Sequence, residues 1–123
     1  MANRITPSDI GDVTVLKVSG GVSLDGGSKE MYDAITSQAQ RGRKKIILDM
    51  SDAGYMDSSG VGYLVSGYTR VRNLGGELVM AAPSLKMRDL MQITKLNRVV
   101  KVTDSVSEAV TALEQESQDN KLK

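Results

Sequence analysis

The chain has 123 residues, of which 40% are hydrophobic and 25% are charged, proportions typical of one globular domain with its own core. Sixteen basic and fifteen acidic residues give a net charge of +1 at pH 7, which disfavours nucleic acid or an anionic membrane as the partner. Cysteine and histidine are absent, which excludes disulfides, thiol catalysis and the usual base of a serine triad.

Targeting signals are also missing from the sequence. No apolar run approaches the roughly 20 residues of a membrane span, and the first four residues lack the apolar core of a signal peptide. Together with the absence of cysteine, this predicts a cytoplasmic location and no membrane partner.

The first third of the chain predicts two strands and a helix. Ile5–Ile10 is a weak strand, and the proline inside it fits only an edge or a bulge. Residues 13–18 form a stronger, β-branched strand, and Gly11-Asp12 between the two strands predicts a hairpin. A turn-rich crossover at residues 22–28 then leads to a helix whose apolar stripe spans residues 31–39.

The remaining elements alternate between strand and helix. Residues 45–50 are almost continuously apolar, as expected of a central strand covered on both faces. A polar turn follows, and an amphipathic helix begins near Ser58 and continues to Leu74. The later elements are, in order, a strand at 77–81, a helix at 85–91, a strand at 99–102 and a helix that starts at a capping box formed by Ser105 and Glu108.

This order, ββαβαβαβα, defines an α/β fold class. Such alternation calls for a largely parallel sheet with helices packed against it, and an antiparallel first strand makes the sheet mixed. No internal repeat or long linker divides the chain, so residues 1–123 are expected to form a single domain with a core at about residues 4–114. The polar segment 115–123 predicts a frayed tail.

The turn before the central helix concentrates the chemically useful residues. Asp57, Ser58 and Ser59 are all good helix caps, and Gly60 with Gly62 would permit close packing against a strand. One cap residue is enough, however, and each glycine weakens a helix by about 1 kcal/mol relative to alanine. The turn therefore has a structural interpretation, as a cap, and a functional one that requires small, approachable residues.

The serines allow two kinds of chemistry. A nucleophilic serine needs a base, and no lysine or carboxylate stands near the turn in a known catalytic pattern. A serine phosphorylated by a kinase would gain about −1.5 to −2 charges beside Asp57. The helix N-terminus tolerates an added anion, whereas a partner packed on the turn does not. This option predicts a switch that changes binding and leaves the fold intact.

Two other chemistries are disfavoured by the sequence. Phosphate-cradling loops of the Walker or dinucleotide type are absent, because no glycine-rich segment has the required spacing. A receiver-type domain would need acidic metal ligands at the end of the first strand, where only Gly11-Asp12 is found. We therefore expect no metal and no bound cofactor.

The sequence resembles the STAS domain of bacterial anti-sigma factor antagonists over nearly its whole length, from about residue 5 to residue 113. The resemblance is carried by Met56-Asp57-Ser58-Ser59-Gly60-Val61-Gly62, by the strand before it and by Gly75-Gly76-Glu77-Leu78 after it. It extends to residues 90–96, where the family has a helix that ends in a short apolar loop. The resemblance implies a mixed sheet of four or five strands with four helices, mainly on one side.

The resemblance also implies a role as a binding module rather than an enzyme. Family members in their unphosphorylated form bind an anti-sigma factor serine kinase of the histidine-kinase-like ATPase fold and so free a sigma factor. The kinase holds ATP and its metal and phosphorylates the serine that matches Ser58, which inactivates the antagonist, and a PP2C-type phosphatase restores it. By the same matching, Asp57 and Ser59 border the acceptor, while Gly60 and Gly62 keep the partner-binding surface low.

One segment departs from the family pattern. Many members carry Gly-x-Leu-Asp after the second strand, whereas this chain reads Gly-Val-Ser-Leu-Asp from residue 21. The family aspartate is therefore either replaced by Ser23 or displaced to Asp25. Both residues are expected to contribute to partner binding, although a plain glycine-rich turn remains an equally open interpretation of this loop.

Two further functions remain open at this stage. The chain could be a STAS scaffold or adaptor in a signalling or transport assembly without a sigma factor. It could also be a small hydrolase that uses Ser58 or Ser59 as its nucleophile. Genes for a kinase or a phosphatase next to its own would favour the anti-sigma antagonist, and labelling by a serine-reactive fluorophosphonate would favour the hydrolase.

Overall fold

A computed structural model describes the backbone of residues 4–121 and the side chains of residues 4–115. In this part of the chain, five strands form one sheet and four α-helices pack on it. The strands are β1 (Ile5–Ile10), β2 (Val13–Val22), β3 (Lys45–Met56), β4 (Glu77–Ala81) and β5 (Lys101–Thr103). The helices are α1 (Ser28–Gln40), α2 (Ser58–Asn73), α3 (Leu85–Ile93) and α4 (Val106–Lys121). The predicted order of elements is confirmed.

The strands follow one another across the sheet in the order β1-β2-β3-β4-β5. The β1–β2 pair is antiparallel, with Ile10 opposite Val13 across the predicted hairpin, and every later pair is parallel. The predicted mixed, largely parallel sheet is therefore confirmed. In a sheet of this kind, the carboxyl ends of β2 to β5 lie along one edge, and the segments that follow them meet there.

Helices cover both faces of the sheet, as the apolar run of β3 predicted. Ile46, Leu48 and Met50 of β3 belong to the larger core cluster, which also contains residues of α1, α2 and α3. Ile47 points to the opposite face and packs in a smaller cluster with α4 residues Ala109 and Leu113. Three of the four helices therefore lie on one side of the sheet, which confirms the prediction that the helices are mainly on one side.

Two strands are longer than the sequence predicted. β2 continues past residue 18 to Val22, and β3 continues past residue 50 to Met56. The two extensions pair with each other, with Gly20 opposite Ala53 and Val22 opposite Met56. The extension of β2 contains glycines and that of β3 contains polar residues, so neither has the local pattern of a strand. Only the long-range pairing between them makes both segments strands. Tyr55 and Met56 are therefore strand residues, and the turn itself is reduced to Asp57.

The C-terminal third differs from the predictions in smaller ways. A 3-10 helix at Leu96–Arg98 precedes β5, which starts at Lys101, two residues later than predicted. At the capping box, Glu108 N donates to Ser105 Oγ over 3.1 Å, but the Glu108 carboxylate accepts from Asp104 N instead of Ser105 N. α4 extends to Lys121, and residues 122 and 123 of the predicted frayed tail lie outside the described residues.

Candidate functional site

The predicted site lies where β2 and β3 end side by side. β2 ends at Val22 and β3 ends at Met56, directly opposite each other in the parallel register. Asp57 N donates a hydrogen bond of 3.1 Å to Val22 O. The loop at residues 23–27 and the first turn of α2 are therefore neighbours, although about 30 residues separate them in the chain.

Asp57 caps α2 and also binds the neighbouring loop. Its Oδ1 accepts from Ser59 Oγ over 2.7 Å and from Gly60 N over 3.1 Å. Its Oδ2 accepts from the backbone N–H of Leu24 over 3.1 Å. The Ser59 hydroxyl, followed by the N–H groups of Gly60 and Leu24, lowers the pKa of the Asp57 carboxyl below its ordinary value. The cap interpretation is thus correct for Asp57, which in addition joins the loop to the turn.

Ser59 belongs to the same hydrogen-bond network and is half-buried. Its Oγ donates to Asp57 and lies 2.9 Å from Oγ of Ser28, the buried first residue of α1. A hydroxyl has one proton to donate, so Ser28 donates to Ser59 while Ser59 donates to Asp57. This chain of hydrogen bonds joins the starts of α1 and α2.

Ser58 differs from Ser59 in its exposure and in its hydrogen bonding. It is the first residue of α2, its side chain is exposed, and no described residue forms a hydrogen bond with its hydroxyl. A phosphate could therefore be added to Ser58 without breaking a hydrogen bond. A nucleophilic serine would be expected to hydrogen-bond a base, and among residues 4–115 no side chain forms such a bond with Ser58.

The two glycines of the turn have different environments. A Cβ on Gly60 would lie 2.7 Å from Val22 O and 2.9 Å from Val22 Cγ1, so this buried position requires glycine for packing. A Cβ on Gly62 would have no heavy atom within 4 Å, and the residue is exposed. The close-packing interpretation therefore holds for Gly60, whereas Gly62 leaves bare surface one helical turn from Ser58.

The loop at residues 23–27 is a tight turn that places its two predicted contact residues differently. Ser23 is buried, with its N–H donating to Gly26 O over 2.9 Å and its carbonyl accepting from Gly26 N over 3.1 Å. Asp25 is exposed on the surface next to the turn. A Cβ on Gly27, whose φ is +93°, would overlap Gly21 O. Gly27 is thus required by the fold of the loop.

Leu24 is a surface residue that the sequence predictions did not include. Its side chain is 81% exposed at the tip of the loop, while its backbone N–H is held by Asp57. The sequence feature that could have identified it is a leucine in an otherwise polar, glycine-rich turn. An apolar side chain at such a position does not contribute to the core and is available to a partner. Leu24, Asp25, Ser58 and Gly62 thus form the exposed part of the site.

The described residues contain no group of three or more acidic side chains arranged to hold a metal ion. None of the helices in residues 4–121 has the length and apolar character needed to cross a membrane.

Comparison with known proteins gives a family match over most of the chain. The model of the STAS domain matches residues 5–109. A protein of Thermotoga neapolitana, which carries the provisional name anti-sigma factor antagonist TM1081 homolog, is 34% identical over 70 residues, which cover 57% of this chain and 62% of the relative.

Two solved structures show the same fold at lower identity. A Thermotoga maritima protein, provisionally named an anti-sigma factor antagonist, superposes with a TM-score of 0.82 at 23% identity, covering 89% of this chain and 94% of the other. The Bacillus cell fate determinant SpoIIAA in its phosphorylated form superposes with a TM-score of 0.67 at 20% identity, covering 88% and 97% of the two chains.

Proposed function

This chain belongs to the STAS domain family, and we propose that it is an anti-sigma factor antagonist whose partner binding is switched by phosphorylation of Ser58. In its unphosphorylated form it binds an anti-sigma factor serine kinase and so frees a sigma factor in the cytoplasm. The kinase, which holds ATP, transfers a phosphoryl group to Ser58, and the modified chain is released. A PP2C-type phosphatase returns it to the binding form. The chain is thus a binding module and a kinase substrate.

The observation that carries this proposal is the contrast between the two serines. Ser58 is exposed, and its hydroxyl has no hydrogen bond to any described residue. The Ser59 hydroxyl is held between Asp57 and Ser28. A kinase must reach the acceptor oxygen and align it with the γ-phosphate. Ser58 meets this requirement as it stands, whereas Ser59 would first have to break two hydrogen bonds.

The position of Ser58 also explains how a phosphate would act as a switch. The added charge, about −1.5 to −2 at neutral pH, would lie beside the Asp57 carboxylate. The N-terminus of α2 favours negative charge, and Ser58 makes no hydrogen bond to a described residue that the phosphate would break, so the fold should persist. A partner surface packed on the turn would have to desolvate this charge or face like-charge repulsion. Binding is therefore lost without unfolding.

Family names support the same role. The Thermotoga neapolitana relative and the Thermotoga maritima structure both carry the name anti-sigma factor antagonist. The Bacillus SpoIIAA structure is of a phosphorylated form. These names describe those proteins, and they make an anti-sigma factor the partner with which the proposal should first be tested.

The acceptor is tested with a matched pair of serine variants. The chain is incubated with a cognate anti-sigma factor kinase and ATP, and the phosphate is located by mass spectrometry. Ser58→Ala should abolish phosphorylation, while Ser59→Ala should still be phosphorylated at Ser58. Ser59→Ala leaves Ser28 without its acceptor, so it should lower stability by about 1 kcal/mol, and thermal unfolding of both variants controls for this. Phosphate on Ser59 or elsewhere, or none from an active kinase, would contradict the assignment.

The switch is tested separately with Ser58→Asp. This substitution should weaken kinase binding at least about tenfold, equivalent to about 1.4 kcal/mol, with a change in unfolding free energy within about 0.5 kcal/mol. A large loss of stability would instead favour a purely structural role of Ser58 in the helix start. Unchanged binding would favour the scaffold or adaptor function, in which no phosphorylation switch is needed.

A further inference from the structure

The carboxyl-terminal half of β3 has an unpaired edge. β4 pairs with β3 only from Lys45 to Asp49, where Ala81 ends the ladder. β3 itself continues to Met56, with β2 on one side. On its other side, residues 50–56 pair with no strand among the described residues. The ladder with β2 has register shifts after Lys17 and after Gly20, and the Ser51 N–H already donates to Asp49 Oδ1 over 3.1 Å. The remaining N–H and C=O groups of this edge can pair with an added strand.

A groove runs between this free edge and α3. Its cavity of about 340 Å³ is lined by the β3–α3 groove residues Tyr55, Met56, Lys86, Met87, Asp89, Leu90 and Ile93. Most of these side chains are apolar, and two of them are strongly exposed, with Ile93 at 79% and Tyr55 at 55%. Gly54 lies in this stretch of β3, and no heavy atom stands within 4 Å of its Cβ position, so the sheet face is open there.

A free strand edge beside an apolar, helix-walled groove suits one class of occupant. An extended peptide that joins the edge supplies main-chain hydrogen bonds, and its alternate side chains enter the groove. A helix could fill the groove but would leave the free main-chain groups on this edge of β3 unpaired. We infer that the β3–α3 groove binds an extended segment of the partner that engages Ser58, in the manner of an added β-strand.

A partner that binds at Ser58 is large enough to cover the groove as well. The inference therefore rests on the proposed function. Three peptide units separate Tyr55 from Ser58, so their Cα atoms lie within about 11 Å of each other. A standard interface buries about 800 Å² on each partner, which corresponds to a circular patch with a radius of about 16 Å. A partner centred on Ser58 therefore covers the end of the groove, and the exposed Ile93 side chain lies where its neighbouring segment would pack. The Tyr55 ring lies over Gly21 of β2 instead.

Two exposed residues of α3 provide a matched test. Ile93 lines the groove and is 79% exposed, whereas Leu85 is 80% exposed on the same helix and does not line it. Affinity for the kinase is measured for Ile93→Lys and Leu85→Lys by calorimetry. We expect Ile93→Lys to weaken binding about tenfold or more and Leu85→Lys to change it by less than about twofold, because only the first places a charge in the apolar contact. Thermal unfolding checks that both variants fold.

Hydrogen exchange of the unsubstituted chain tests the strand addition itself. Kinase binding should slow the exchange of the backbone amides in residues 52–55 that face away from β2, because these would donate to the added strand. Protection confined to the Ser58 turn, or equal effects of the two lysine variants, would overturn the inference.

Phosphorylation of Ser58 is also measured for both lysine variants. If the Ile93→Lys variant is phosphorylated and binds the kinase normally, the groove proposal is refuted while the proposed function stands. If Ile93→Lys instead dissociates a dimer in sedimentation without affecting kinase binding, the occupant is a second copy and the inference is wrong.

Discussion

The first turn of α2 has an inner and an outer side with opposite properties. The inner side comprises Asp57, Ser59 and Gly60, which are hydrogen-bonded to the loop at residues 23–28 or packed against Val22. The outer side comprises Ser58 and Gly62, which are exposed, and a Cβ on Gly62 would meet no heavy atom within 4 Å. Residues adjacent in sequence therefore have different roles, since the inner side fixes the geometry in which the outer side is presented.

This difference shows how a short motif can combine a structural and a functional requirement. Successive residues of a helix point about 100° apart, so neighbours need not share an environment. The inner residues hold the turn rigid against the loop. Consequently, the outer serine has a defined position without being tied by a hydrogen bond of its own. Substitutions on the two sides should have effects that differ in sign as well as in size.

The largest effect is expected for Gly60→Ala on the inner side. Its Cβ would lie 2.7 Å from the backbone oxygen of Val22, which cannot move without disturbing β2. Overpacking of this kind should destabilise the chain by about 1–3 kcal/mol, measured as the unfolding free energy in urea. This sign is opposite to that of an ordinary glycine-to-alanine change in a helix. A neutral or stabilising result would show that the inner side is not packed as described.

The matched substitution on the outer side is Gly62→Ala. The new methyl group meets no heavy atom within 4 Å, so only the helix propensity changes. The variant should be stabilised by about 0.5–1 kcal/mol, seen as a higher midpoint of thermal unfolding. Affinity for the kinase, measured in parallel, should fall if Gly62 keeps the partner surface low as proposed. Loss of stability in this variant would remove the distinction between the two sides.

The smallest expected effect is a pH dependence that comes from Asp57. Hydrogen bonds from Ser59, Gly60 and Leu24 lower its pKa in the folded state below the unfolded value. The stabilisation is therefore fully present above the unfolded pKa, about 3.9, and is lost as the pH falls through the lower, folded value. The stability difference between the natural chain and Asp57→Asn should be larger at pH 6 than at pH 3. A difference independent of pH would mean that the carboxylate charge does not contribute.

Asp12 provides a comparison for this measurement because it lies at the other end of the sheet. The Lys45 ammonium group lowers the pKa of the Asp12 carboxyl through a 2.9 Å hydrogen bond and ion pair. Asp12→Asn should therefore also reduce the loss of stability between pH 6 and pH 3. The two substitutions should act independently, since distant sites without shared partners are usually additive.

Much of the fold could be predicted because its signals are local. The β-branched run at 13–18, the apolar run at 45–50 and the helical stripe at 31–39 each depend on residues close together in the chain, and the structure places elements at all three. The extensions of β2 and β3 were missed since they stabilise each other across the sheet. The 3-10 helix at Leu96–Arg98 was also missed, because it is a short element positioned by tertiary packing of Leu96 and Val100.

The sequence by itself determined the fold class and the position of the candidate site. Hydrophobic periodicity is a property of neighbouring residues, and the Asp57-Ser58-Ser59-Gly60 turn is contiguous, so both can be read from local patterns. The tertiary structure decided which side of the turn each residue occupies. Ser59 is hydrogen-bonded to Ser28, Gly60 packs against Val22, and Asp57 accepts a hydrogen bond from the Leu24 N–H. These contacts link residues about 30 positions apart, which are brought together only by the parallel pairing of β2 and β3.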